Sequence, residues 1–372
     1  MQNEVIEVLK DVVLDEAVGD INTADVGFFT LKADGTRDPT NTENISVVIR
    51  FVKEGAVHET LVDMPSSQEL DAESITTALL KSLRQCNIDP NKMLSQCYDG
   101  ASVMSGKNGG VQRKLQEKLN KTIPYVHCFN HQLHLAVVHA IGENPDIERF
   151  FGVCNRVYNF ARHPTLTALY EGSKLQRLLE QRWSGHFEST LRIIENHNSL
   201  IDLFQHSRGS SNADICVDAE GLLQQIREKK FLFIAYMVYN ILLKLRPADK
   251  LLQDRTCDLT TGIQLINSSI ESIQNMRSDI DETFLSISSD LHKHQTVETR
   301  EKRCHKLPAR LQNSVVLSSV GQTSEPDQPE QLRRLLIEVL DSCLGELNSR
   351  FSERNCRLVC SISRLQPHRP DF

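Results

Sequence analysis

Tryptophan occurs once in this chain, and aromatic residues of all kinds make up only 6% of it. Nowhere do about 18 uncharged apolar residues follow one another, as a helix crossing a bilayer would require, and the opening MQNEVIEVLK carries acids where a leader would carry an apolar run. The expectation is a nuclear or cytoplasmic protein, neither secreted nor membrane-spanning. A basic excess is missing too: 42 Lys and Arg stand against 49 Asp and Glu, a net charge of -7. Proteins that coat nucleic acid by bulk electrostatics need a clustered basic surface, so any DNA contact is expected to be local. Short runs such as Arg300-Glu301-Lys302-Arg303 read first as solvated helix ends. No Cys-x-x-Cys element is present; the ten cysteines are scattered singly, as reduced thiols are. Cys356 and Cys360 are spaced for one helical face rather than for a zinc knuckle, and no zinc is expected.

What is present is an ordinary globular composition, 40% hydrophobic and 24% charged over 372 residues, with room for two domains. Residues 1–26 read as a helical lead-in. From there to about residue 140 the apolar period alternates between strand and helix. Strands are expected at Gly27–Ala33, Ile45–Val52 and Ala56–Val62, the last two joined by the short hairpin Lys53-Glu54-Gly55. A helix capped by Asp71 or Ser74 presents Ile75, Leu79, Leu80 and Leu83 on one face. A turn at Asn87–Asn91 leads to a short strand at Met93–Cys97, a glycine-rich loop to a helix at Val111–Leu119, and Pro124 into a fifth strand, Ile123–His127. Three strands, helix, strand, helix, strand is the order of a ribonuclease H-like core, here an α/β mixed five-stranded sheet over residues 27–140.

An all-α insertion domain is expected at 141–306. Phe231–Leu245 is apolar almost all round, which suits a buried central helix and is too short for a membrane span. Leu259 to Leu291 steps by threes and fours as one long amphipathic helix with a break at Arg277. Residues 307–330 have the serine, proline and acid content of a linker, and 331–372 form a last helix and a tail.

Two acids fall where such a core needs them: Asp34 at the end of the first strand and Asp99 just past the fourth. Carboxylates converging there can hold two divalent cations, magnesium by ligand type, against the attacking and leaving oxygens of a phosphodiester. By residue type alone, Asp34-Gly35 and Asp99-Gly100 are equally well turns. Around the second, the small residues of Gly100 to Gly110 and a capping serine would let backbone amides approach a charged ligand, with Lys107 at hand. His127, Cys128, His131 and His134 have metal-like spacing, yet strand and helix separate the two halves, so a supporting role is favoured over zinc.

The stretch CYDGASVMSGKNGGVQ followed by YVHCFNHQLHLAV resembles the paired signature of hAT-superfamily transposase domains, in the branch of the zinc finger MYM-type proteins. QNEVIEVL, FFTLKADGTRDPTNTENISVVIRFV and RWSGHFESTLRII follow in the family's order, so the resemblance runs through nearly the whole chain. It implies that Asp34 and Asp99 are the first two catalytic acids and metal ligands, that Cys128 and His131 are a Cys-x-x-His pair supporting the site, and that Arg182 and Trp183 contact nucleic acid. An indole can stack on an unpaired base while the guanidinium meets phosphate; packing of Trp183 in a helical core, with Arg182 reaching to solvent, is the other reading.

Departures decide the expected function. No glutamate follows Asp34. The family's third acid lies in a C-terminal dimerisation segment expected to be missing here, as is the N-terminal zinc finger. Two carboxylates then face a two-metal task, an incomplete magnesium site. The expectation is a transposase-derived pseudoenzyme, meeting DNA weakly or protein partners through its helical domain. The alternative is an active metal-dependent nuclease whose third carboxylate comes from Glu180, Glu188 or another chain.

Overall fold

A computed structural model describes residues 2–25, 27–37, 42–67, 69–178, 183–254, 257, 259–294, 328–352, 356 and 361. Helix α1 (Gln2–Asn22) leads into three strands, β1 (Phe29–Arg37), β2 (Glu43–Lys53) and β3 (Ala56–Asp63), paired as an antiparallel meander. Glu54 and Gly55 alone connect β2 to β3, at φ of 53° and 70°. Two successive positive φ values match the right-handed twist of the flanking strands, and glycine takes its value without steric cost. A two-residue strand, β4 (Ser66–Ser67), also pairs with β2; it is too short to leave an alternation pattern in the sequence.

Helix α2 (Ala72–Gln85) starts where Asp71 Oδ1 accepts the backbone N–H groups of Glu73 and Ser74 at 2.8 and 3.2 Å, which settles the cap on Asp71. It buries Ile75, Leu79, Leu80 and Leu83. A 3-10 turn at Pro90–Lys92 then enters β5 (Met93–Tyr98), followed by α3 (Ser102–Ser105), α4 (Val111–Leu119), β6 (Tyr125–His127) and α5 (Phe129–Gly142). The strand order is β3-β2-β1-β5-β6, with β1–β5 and β5–β6 parallel. Parallel pairing of β1 with β5 demands a crossover, and α2 supplies it. Five strands in this mixed order, followed along the chain by helices, make a ribonuclease H-like sheet and a helical region.

The two faces of the sheet differ. Phe29, Leu31, Ala33, Ile45, Val47, Ile49 and Phe51 are buried with Leu79, Leu83, Val111 and Leu115 in one apolar cluster. Burial at every second residue of β2 is what period-two alternation gives a strand with one covered face. The opposite face is polar: Thr30, Lys32, Arg50, Glu59, Ser95 and Cys97. Gln96 sits among the apolar residues, fully buried, and its Nε2 donates to the carbonyls of Gln112 and Ile123 at 3.0 Å each, tying β5 to the segments on either side.

Three boundaries differ from the sequence reading. Strand β1 runs on to Arg37, so Asp34 lies within it, opposite Ser46, rather than at its end. Ile123 and Pro124 precede β6. The segment from Leu259 to Leu291 is two helices, α11 (Leu259–Ser278) and α12 (Ile280–Leu291), parted at Asp279 rather than at Arg277, whose guanidinium holds Asp341 at 2.7 Å.

By internal contacts the chain divides into two units, Met1–Leu135 with Asp249–Gly262, and Ala136–Ala248 with Ile263–Phe372. In the first, Arg50 Nη2 donates to the Cys257 carbonyl at 2.8 Å, joining the returning segment to the polar face of the sheet. The second contains α6 (Pro145–Ala161), α7 (Trp183–Glu195), α8 (His197–Ser207), α9 (Ala213–Ile226), most of α10 (Lys229–Gln253) and of α11, then α12 and α13 (Gln328–Arg350). At 25 residues α10 is longer than Phe231–Leu245 and is long and apolar enough to cross a membrane. The length argument against a span therefore fails, and burial replaces it: Leu232, Phe233, Ala235, Met237 and Leu242 are fully enclosed, as in a core helix. The expected linker at 307–330 falls outside the described residues up to 327, and its last three residues already belong to α13.

Candidate functional site

The pairing of β1 with β5 makes neighbours of the strands that carry Asp34 and precede Asp99. Thr30 faces Ser95, Leu31 faces Gln96 and Lys32 faces Cys97, all at one offset of 65 residues. That ladder ends at Lys32 and Cys97; Asp34 lies two residues further along β1, and Asp99 two residues further, in the turn that follows β5. Alternation puts Asp34 on the face of Lys32 and Thr30, away from the apolar cluster. Asp34 is exposed and Asp99 half-buried. Among the described residues, however, no group of three or more His, Cys, Asp or Glu side chains is placed to hold a metal ion.

After β5 the chain turns tightly. Asp99 Oδ1 accepts the Ala101 amide at 3.2 Å and its carbonyl accepts the Tyr125 hydroxyl at 2.8 Å, so β6 supports the turn from the side. A Cβ at Gly100 would lie 2.5 Å from the His127 ring, which packs directly over the backbone there. Gly106 and Gly110 touch through their backbones, closed by the Gly110 amide on the Gly106 carbonyl at 2.9 Å. The expected capping serine is absent from both helix starts in this loop: Ala101 and Gly110 cap α3 and α4 without a side-chain bond, and Ser105 Oγ donates backward to the Gly100 carbonyl at 3.0 Å. Lys107 stands exposed at the crown of the loop.

Cys128 and His131 sit at the start of α5. The Cys128 amide continues the sheet by donating to the Tyr98 carbonyl at 2.9 Å, and its own carbonyl accepts the Gln132 amide at 2.9 Å, so Cys128 is the hinge between strand and helix. Its thiol is pulled down from the ordinary cysteine range, first by a hydrogen bond from the Cys97 thiol, against burial, and then by the backbone amides of His131 and Asn130 and the charge of Lys32. Cys97, the donor, moves the opposite way. Rings continue from here: His127 and His131 have centroids 5.8 Å apart, and His131 and His134 6.3 Å. Strand and helix thus bring the histidines nearer than the sequence reading held, with each neighbouring pair of rings tilted, by 36° and 43°.

The sequence reading missed the charged centre of the polar face. Glu59 on β3 accepts both Lys32 Nζ and Arg50 Nη1 at 2.7 Å. Burial pushes its carboxyl up, and those two bonds outweigh burial and leave it below the ordinary range. It missed Cys97 as well, although alternation along Met93–Tyr98 puts Ser95 and Cys97 on the face opposite Gln96.

In the helical unit, Trp183 opens α7; its side chain, and Arg182 and Glu180 entirely, lie outside the described residues. Glu188 holds Arg246 Nη2 at 2.9 Å, and that guanidinium also lies 4.4 Å from the Phe187 ring centre. One candidate for the third acid is therefore engaged in an ion pair of its own.

The mixed five-stranded order, with helices following it, is that of a ribonuclease-like domain. A family model described as the ZMYM1/FAM200, RNase-like domain matches residues 1–110. That stretch runs from α1 to the Gly110 turn and contains both Asp34 and Asp99. The match supports a ZMYM- or hAT-transposase-like relation over that stretch.

Proposed function

We propose that this chain is a domesticated transposase-derived protein of hAT type that works in the nucleus as an interaction or weak nucleic-acid-binding module, without cutting DNA on its own. What supports the reading is that neighbouring strands β1 and β5 place Asp34 and Asp99 each two residues past their last paired residues, Lys32 and Cys97. Two hard divalent cations in octahedral shells require more oxygen ligands than two carboxylates supply. Asp34 and Asp99 by themselves do not make a complete two-metal centre. Engagement of Glu188 by Arg246 weighs further against cutting by this chain alone. Lys107, standing clear of the loop beside Asp99, is the cation that would meet a phosphate, and Arg182 and Trp183 would add contacts from the helical unit. Protein partners would dock on that unit.

Purified full-length chain, mixed with labelled duplex and hairpin DNA in millimolar magnesium, tests this. Retardation in a low-salt gel without nicking is expected. Lys107→Ala should reduce the slope of log affinity against log salt by about one, the signature of one lost phosphate contact. Magnesium-dependent nicking that disappears in Asp99→Asn would overturn the proposal.

A further inference from the structure

Two stripes at helical spacing line one cavity in the helical unit. On α5, Val137, Ile141 and Gly142 lie a turn apart; on α6, Glu148, Phe151, Gly152 and Asn155 recur at intervals of three and four. With His186 near the start of α7 they border a cavity of about 500 Å³, within the size range that small organic ligands occupy. Val137, Ile141 and Phe151 are buried and give it an apolar floor. The His186 ring meets that of Phe151 edge-on, with centroids 4.7 Å apart and planes at 86°, a corner that a third aromatic ring fits in offset or edge-to-face contact. Asn155 is half-buried, and Glu148 stands exposed at the mouth. Asp146, two residues earlier, holds Lys230 at 2.7 Å, whereas Glu148 has no ion-pair partner among the described residues. Gly142 and Gly152 border the same cavity with bare backbone, and a Cβ added at either would meet nothing within 4 Å. Gly152 lies in the middle of a 17-residue helix, where glycine costs stability relative to alanine. No neighbour crowds the position; what its missing side chain leaves is room in the cavity.

We propose that this cavity is a binding site for a small aromatic amine. The ring enters against Phe151 and His186 over the apolar floor, and the ammonium group stays at the mouth beside Glu148, with the Asn155 carbonyl as a second acceptor. An ionised carboxylate only accepts hydrogen bonds, so it favours a cation and repels an anion of the same shape. An ion pair at an exposed position contributes little, so burial of the ring supplies most of the affinity and Glu148 supplies the preference for positive charge. The site uses neither Asp34 nor Asp99 and depends on no DNA contact, so it stands or falls separately from the proposed function.

Tryptamine is the probe, with indole-3-propionate as an anion of similar shape, each titrated against the full chain at neutral pH by ligand-observed NMR. The expected result is a dissociation constant of about 1 mM or tighter for tryptamine, within reach of ligands of this size, and binding at least about threefold weaker for the acid. Gly152→Leu places a side chain in the cavity at a position that glycine disfavours, so it should abolish binding of both without lowering the melting temperature. Glu148→Gln, at an exposed position, should bring the two ligands within about twofold of each other. Absence of tryptamine binding at roughly 10 mM, where such a site would be about nine-tenths filled, or equal affinity for amine and acid, overturns the proposal; both are read on the wild-type chain, whatever the folding of the variants. Undiminished binding in a folded Gly152→Leu chain overturns it too.

Discussion

Replacing Glu59 with glutamine keeps the side chain's shape and removes its charge, at the point where the polar face of the sheet concentrates charge. Glu59 is 12% exposed and accepts one bond from Lys32 and one from Arg50, whose side chains are 36% and 26% exposed. A hydrogen bond to a charged partner contributes about 1.5–3 kcal/mol and a neutral one about 1. Each of the two bonds therefore loses roughly 1 kcal/mol, the Lys32 bond at the low end because solvent screens it. The loss should be about 2 kcal/mol. Since 1.36 kcal/mol is a factor of ten, amides of β1, β2 and β3 in Glu59→Gln should exchange hydrogen roughly 30-fold faster at neutral pH, while α9 and α10 keep their rates. The pH sign follows from the direction of the shift. A carboxyl whose folded value is depressed contributes stability above its unfolded value of about 4.3, and loses it as pH falls through the folded value. The difference between wild type and variant should therefore hold from neutral down to about pH 4.5 and shrink below it. Hydrogen exchange by mass spectrometry, compared at matched pH, reads both. A change under about threefold in β1–β3, or equal acceleration in α9 and α10, would refute the reasoning.

Gly110→Ala sets a Cβ 2.4 Å from the Gly106 nitrogen, backbone against backbone, so the loop must move at a cost of about 1–3 kcal/mol; Gly109→Ala, with nothing within 4 Å, should be neutral. Exchange rates over residues 99–119 in the two variants check this, and equal rates would count against it. In the helical unit, His197 is fully buried with Nε2 2.9 Å from the Ile226 carbonyl, and its ring lies 4.9 Å from that of His294, which meets the Tyr236 hydroxyl at 2.7 Å. Burial lowers both imidazoles below the ordinary value, with Arg227 adding to this for His197 and the charges of His197 and Lys293 for His294. A base whose folded value is depressed contributes full stability above its unfolded value of about 6.5 and loses it as pH falls below. Thermal melts from pH 7.5 to 5.5 should show the unit weakening, with a shallower slope in His197→Gln; parallel slopes would exclude these histidines as the cause.

Period-two alternation in Glu43–Lys53, the Glu54-Gly55 turn and the Asp71 cap are local signals, and each leads to the observed element because backbone sterics and nearest-neighbour hydrogen bonds act within a few residues. Boundaries were less legible. Strand β1 extends past Asp34 because β2 offers partners as far as Glu43, a fact of pairing and not of composition. Likewise α10 outgrows its apolar run because helix continuation is favourable once the middle is buried, even past Pro247. The glycines at 106 and 110 have ordinary negative φ. Their need is spatial, and no rule about turns finds it.

The sequence by itself determined most of the strands and helices, and that Asp99 falls just past a strand, because hydrophobic period and capping chemistry are written residue by residue. Only the tertiary structure decided that β1 and β5 run side by side, with a register shift between Phe29 and Thr30, and that Lys32 and Arg50 converge on Glu59. Those pairings join residues tens of positions apart, and loop-closure entropy and the burial of one shared face select them, neither of which any single stretch of sequence contains.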